Sequence, residues 1–203
     1  MQLHKLAYLL LSVLLVSVGL SASPEPGKEA PAFTGKTSHG TEISLSDLRG
    51  KTVVLEWTNH DCPYVKKHYN TGNMQRTQRA LIDNDAVWLS IISSAEGTQG
   101  YVSAEEANEL TASRGAYASY VILDPTGDIG RLYAARTTPQ MFLINKDGVV
   151  EYMGAIDDKP STRAQTVKEA TNYLLAAWQE LKSGKEVSLK STKPYGCSVK
   201  YAD

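Results

Sequence analysis

Lys51-Thr52-Val53-Val54-Leu55-Glu56-Trp57-Thr58-Asn59-His60-Asp61-Cys62-Pro63-Tyr64-Val65-Lys66-Lys67 is the stretch on which the reading of this chain turns. Its first half, residues 51–58, is β-branched and apolar and predicts a buried strand. Its second half is polar and then opens a helix, because Pro63 suits the first helical position, where a missing N–H costs nothing. Cys62 therefore lies at a strand-to-helix junction. Free backbone N–H groups and the positive helix end stabilise a thiolate there and lower its pKa. Lys66, four residues on, is expected to share the face of Cys62 and to add positive charge, with help from His60 and Lys67 and opposition from Asp61. The competing reading is a buried, inert cysteine; the polar turn beside Cys62 favours the reactive one.

Outward from this stretch, residues 86–93 and 120–123 read as further strands and residues 74–82 as a helix. Ser103 and Glu106 have capping-box spacing and open a helix to about Arg114. Asn145-Lys146-Asp147-Gly148 between two apolar runs signals a hairpin of residues 140–144 and 149–153. Residues 162–181 read as one long amphipathic helix, with Ser161 as N-cap and Gly184 after its end. Trp57, Trp88 and Trp178 are expected in the core. Strands alternating with helices, then a hairpin and a last helix, predict an α/β three-layer sandwich around a mixed sheet.

These motifs, in this order, resemble the thioredoxin-like superfamily, in its redoxin (alkyl hydroperoxide reductase/thiol-specific antioxidant) branch. Phe33 and Ile43 to Lys51 resemble the lead-in of that branch, and Trp57 to Val65 its active-site segment. Thr138-Pro139 with Phe142-Leu143-Ile144 and Asp147-Gly148 resembles the cis-proline loop and its hairpin. Gly154-Ala155-Ile156-Asp157-Asp158 is similar to a segment of a peroxiredoxin-like subgroup, and the active-site segment is Cys-Pro-Tyr-Val. The resemblance covers about residues 30 to 182. It implies that Thr138 and Pro139 hold a partner's backbone beside the sulfur.

The departures are specific. A dithiol thioredoxin carries a second cysteine where Val65 stands. A peroxiredoxin carries threonine and proline where Asn59 and Leu55 stand, so the peroxide-activating arrangement is incomplete. Arg136 is a candidate to bring a guanidinium near the thiol.

Cys197 is the second of only two cysteines in the 203-residue chain. It lies in Lys193-Pro194-Tyr195-Gly196-Cys197, a turn-rich stretch of a polar tail over residues 185–203. Pairing with Cys62 is the simplest expectation. Closing that loop of 135 positions is worth roughly 4 to 5 kcal/mol by loop entropy. The bond either cycles, with Cys197 resolving an oxidised Cys62, or is permanent and structural; the placement of Cys62 favours cycling.

Composition narrows the classes. At 42% hydrophobic and 21% charged the chain is neither disordered nor low-complexity. With 21 basic and 22 acidic side chains and no basic block, it is not a nucleic-acid binder. Two cysteines build neither a disulfide-rich scaffold nor a four-cysteine zinc site. His60, Cys62 and His68 have the residue types for copper or zinc, but Lys66 stands among them and His68 reads as a surface or helix-end residue, so a metal site is disfavoured.

Residues 1–22 carry a basic start, an apolar run from Leu6 to Leu20 and small residues at Ser21-Ala22-Ser23. That is the pattern of a secretory signal peptide cleaved near Ala22 or Ser23. The leader leaves residues 23–184 as the domain, secreted or periplasmic, with no membrane span after cleavage. The expected activity is thiol–disulfide oxidoreduction, with Cys62 as nucleophile, Cys197 resolving and Lys66 assisting ionisation. No cofactor is expected, and the partners are protein or small-molecule thiols and disulfides. The alternatives are a thiol peroxidase acting on peroxides through Cys62, and a non-enzymatic redoxin-fold binding or copper-handling module with a structural disulfide.

Overall fold

Strand β3 (Val53–Trp57) is buried at every position and forms the middle of the molecule. It pairs in parallel with β4 (Val87–Ile92), which pairs in parallel with β5 (Tyr120–Leu123). On its other side β3 runs antiparallel to β7 (Gln140–Ile144), and β7 to β8 (Val150–Gly154). An antiparallel pair, β1 (Thr34–Thr37) and β2 (Glu42–Ser44), completes the sheet beyond β5. The order is β2-β1-β5-β4-β3-β7-β8. A strand buried on both faces needs apolar side chains on both, and this is why residues 51–58 do not alternate. The computed structural model describes residues 23 to 202, and the leader read over residues 1–22 lies outside them. Among the described residues no helix is long and apolar enough to cross a membrane.

Helices α1 (Pro63–Asn70), α2 (Asn73–Ile82) and α5 (Tyr173–Lys182) cover one face of the sheet, over Val54, Trp88, Met141 and Leu143. Phe33 in the lead-in, Ile129 of the short α4 (Asp128–Leu132) and Tyr133 cover the other, over Leu55, Trp57, Ile91 and Phe142. This is the mixed α/β sandwich expected from the strand and helix order. The three tryptophans are in the core. The capping box of α3 (Ala104–Ser113) is formed, with Glu106 N–H donating to Ser103 Oγ at 3.2 Å and Ser103 N–H to Glu106 Oε2 at 2.7 Å. At the hairpin, Asn145 Oδ1 accepts the N–H groups of Asp147 and Val149, both at 2.9 Å.

Two expectations are corrected. The long helix over residues 162–181 is instead a 3-10 segment at Ala164–Glu169, an extended break at Ala170, and α5. The 3-10 segment buries no residue, so nothing holds it as α-helix. Asn172, rather than Ser161, caps α5 by accepting Leu175 N–H at 2.9 Å, and its Nδ2 donates to Thr77 at 2.9 Å. The polar tail, in turn, is laid along the domain. Val187 is buried, Lys190 and Thr192 exchange backbone hydrogen bonds with Met153 on β8, and Cys197–Ser198 forms strand β9 against β6 (Thr137–Thr138).

Candidate functional site

Cys62 caps α1 at its N-terminus with an extended backbone, φ −66° and ψ 123°, and Pro63 occupies the first helical position. The turn before it is built by Asn59, whose carbonyl accepts Cys62 N–H at 3.1 Å and whose Oδ1 accepts Asp61 N–H at 2.9 Å. Asn59 Nδ2 donates to Gln99 O, tying this turn to the loop after β4. Opposite stands Thr138-Pro139, whose peptide bond is cis. Cys62 Sγ donates to Thr138 O at 3.1 Å. Thr138 is in turn the ladder partner of Cys197. The two cysteines are thus brought together, both as free thiols. Gly196 makes this approach feasible, because at φ +147° a Cβ there would collide with the Thr138 carbonyl.

The two sulfurs have opposite electrostatics. Burial raises the pKa of Cys62, but hydrogen bonds offered to the ionised sulfur by the Cys197 thiol, the Thr138 hydroxyl and the backbone N–H groups of Val65 and Cys197 together outweigh it, and the thiol lies below its ordinary range. Cys197 is pushed up to about 12, first by burial and then by Cys62, whose negative charge keeps the proton on its neighbour. The arrangement is a nucleophile with a protonated partner beside it.

The chain matches the model of the AhpC/TSA family over residues 26–153, more than half its length. It belongs to the AhpC/TSA family. This AhpC/TSA protein is 26% identical over 144 residues to sporulation thiol-disulfide oxidoreductase A of Bacillus subtilis, covering 70% of this chain and 82% of that one. A hypothetical protein from Sinorhizobium meliloti has the same fold, with a TM-score of 0.72 and 21% identity, covering 89% of this chain and 97% of that one. The thioredoxin domain of a thiol-disulfide oxidoreductase from Bacteroides vulgatus matches with a TM-score of 0.50 and 22% identity, covering 72% and 98%. The fold is thioredoxin-like.

Within this AhpC/TSA domain the other residues singled out in the sequence are placed less uniformly. Lys66 is half-exposed and its Nζ lies 3.2 Å from Asp61 Oδ1, so it pairs with the acid beside the thiol instead of the thiol. Residues i and i+4 share a face only where the backbone is helical at both, and Cys62 is extended. Arg136 is exposed and contributes backbone only: its carbonyl accepts Val199 N–H at 3.0 Å and its N–H donates to Gln140. His60 Nε2 lies 3.3 Å from Asp61 Oδ2. His68, expected near the surface, is fully buried. Among the described residues no group of three or more His, Cys, Asp or Glu side chains converges as a metal site.

Three polar clusters go beyond what the sequence predicts, and one of them takes Lys67, expected to help ionise Cys62, into the interior. Glu56, in the middle of β3, accepts hydrogen bonds from Tyr69 Oη at 2.9 Å, Trp88 Nε1 at 2.8 Å, Ser90 Oγ at 2.9 Å and Gln78 Nε2 at 3.4 Å. Burial pushes its pKa up against those donors. The signal was a carboxylate inside an otherwise apolar buried strand. Lys67 and Asp157 form the second feature, an ion pair at 3.7 Å with both side chains fully covered. Lys67 Nζ donates to Lys159 O at 2.9 Å and to Tyr195 Oη at 3.1 Å. Tyr195, the third, donates its own proton to Asp157 Oδ1 and receives His68 Nε2 at 3.3 Å, while His68 Nδ1 receives Asn73 Nδ2 at 2.8 Å. Burial first, and Lys67 second, hold the His68 pKa at about 3, so the imidazole is neutral, which suits this pattern of one donor and one acceptor nitrogen.

Proposed function

We propose that this protein is an extracytoplasmic thiol–disulfide oxidoreductase in which Cys62 and Cys197 form one redox pair. The observation that carries the reading is the juxtaposition of the two thiols on Thr138, Cys62 Sγ 3.1 Å from its carbonyl and Cys197 its ladder partner, with Cys62 held below the ordinary thiol range and Cys197 above it. The thiolate of Cys62 attacks one sulfur of a partner disulfide. The other partner sulfur leaves as a thiolate and takes a proton, and a mixed disulfide with Cys62 remains. Cys197 then loses its proton and attacks the Cys62 sulfur, expelling the second partner thiol. The partner gains two electrons and the pair ends as a disulfide, which an external thiol reductant reopens. Thr138, ahead of the cis Pro139, lies against both cysteines, its carbonyl on the Cys62 thiol and its backbone paired with Cys197. The relative named a thiol-disulfide oxidoreductase supports this chemistry. The signal-like leader supports a location where disulfides persist.

The trapping experiment follows from the division of labour. Cys197→Ser leaves the mixed disulfide without an internal attacker, so incubation with a model disulfide is expected to accumulate a covalent adduct on Cys62, visible as an intact-mass increment. The wild-type chain should release it and end with no adduct. Equal adduct in both proteins would mean that Cys197 does not resolve. Substituting hydrogen peroxide for the disulfide tests the peroxidase reading. Asn59 and Leu55 stand where peroxide activation needs other residues, and Arg136 faces solvent. The expected rate is therefore that of an ordinary thiol.

A further inference from the structure

Cys62 has no exposed surface. A thiolate that must touch a partner's sulfur cannot do so from there, and the element lying against it is the C-terminal segment. Thr192 is fastened to β8 and beyond it by Tyr152 Oη at 2.6 Å and Ala155 N–H at 2.9 Å. Past the cysteine, Lys200 O accepts Ala95 N–H at 2.8 Å and Tyr201 Oη donates to Ala135 O at 2.7 Å. Between these two fastenings the segment is held by the two-residue ladder of β9 on β6, by Val199 N–H donating to Arg136 O at 3.0 Å, and by the side chain of Tyr195.

The Tyr195 hydroxyl uses its full capacity: it donates to Asp157 and receives Lys67 and His68. Two of these partners sit on α1, the helix that Cys62 caps. Asp157 Oδ2 has no hydrogen-bond donor at all, only Lys67 Nζ at 3.7 Å and His68 Nε2 at 3.9 Å. A buried ion pair left short of hydrogen bonds is held at a cost in desolvation. Lifting the segment would let water reach Lys67 and Asp157, and their rehydration would offset part of what opening loses. The hydroxyl closes the site, and the pair beneath it keeps the closure reversible.

We propose that residues 193–199 are a strap that must lift for Cys62 to meet a partner, and that Tyr195 is the positioning residue that holds the strap shut. The proposal rests on reading Cys62 as the reacting thiol. Its test, however, reads only access to that sulfur, so failure of the strap and failure of the assigned chemistry are separable.

The experiment uses the full chain carrying Cys197→Ser, which leaves one thiol, and follows alkylation of Cys62 by iodoacetamide under native conditions. A buried thiol that reacts through a fast local opening does so in proportion to the opening equilibrium. The parent is expected to react much more slowly than a free thiol. Adding Tyr195→Phe keeps the ring edge-on to Tyr64, with centroids at 5.6 Å, and removes only the hydroxyl. It is expected to accelerate alkylation about tenfold, independently of low urea. A destabilised control away from the strap, Leu81→Ala in α2, lowers the unfolding midpoint and should leave the alkylation rate within about twofold. The proposal is overturned if Tyr195→Phe reacts at the parent rate, if Leu81→Ala accelerates the reaction equally, or if the parent already reacts as a free thiol.

Discussion

Cys62→Ser is expected to reduce disulfide exchange to the background rate, a loss of at least about a thousandfold in the initial rate with a model disulfide. The size follows from the absence of a substitute. Serine is not ionised at neutral pH. Cys197 has its pKa pushed up, first by burial and then by the anion at Cys62, so it is almost wholly protonated at pH 7. In the serine variant the anion is gone, but burial, the first cause of the raised pKa, remains, so Cys197 stays a weakly ionised thiol and also lacks the neighbouring sulfur with which to close the cycle. Substantial exchange by Cys62→Ser, comparable to the wild type, would transfer the nucleophile's role to Cys197 and reverse the assignment.

Glu56→Ala is expected to cost about 3–5 kcal/mol of stability, read as a lower urea midpoint at unchanged slope. Four donors converge on this carboxyl in a site without solvent, and alanine orphans the indole N–H of Trp88 and the hydroxyls of Tyr69 and Ser90 together. Glu56→Gln keeps the volume and one acceptor and should cost less. The sign of the pH dependence separates the two effects. Because burial raises the folded-state pKa of Glu56, the folded protein holds its proton more tightly than the unfolded chain. Wild-type stability therefore falls as pH rises from about 4.5 to the higher folded-state value, and is level above it. Glu56→Gln removes that slope. A neutral Glu56→Ala variant would show that the cluster is satisfied by water and not by the carboxyl.

What the sequence made legible was local. The strand, the turn and Pro63 are encoded within a dozen positions, as are the capping box at Ser103 and the Asn145 turn, and all form as read. Thr138-Pro139 against Cys62 came from resemblance, since 76 positions separate the Cys62 thiol from the carbonyl that receives it. What escaped depends on contacts that no periodicity carries. Tyr195 meets Lys67 across 128 positions, so neither the burial of Lys67 nor the docking of the tail has a local signature. Lys66 illustrates the reverse case, where a sound local rule failed because Cys62 has an extended backbone and Asp61 lies closer to the ammonium. The break at Ala170 has no local signature, because the amphipathic pattern runs on through residues that bury nothing.

The pairing of Cys62 with Cys197 is tested most directly by equilibrating the full chain in glutathione buffers of graded potential, quenching with an alkylating agent and weighing the intact protein. A single two-electron transition is expected in which both thiols disappear together, leaving a species lighter by two hydrogens and carrying no glutathione. Separate transitions for the two thiols, or a glutathione adduct on Cys62 while Cys197 remains alkylated, would contradict it.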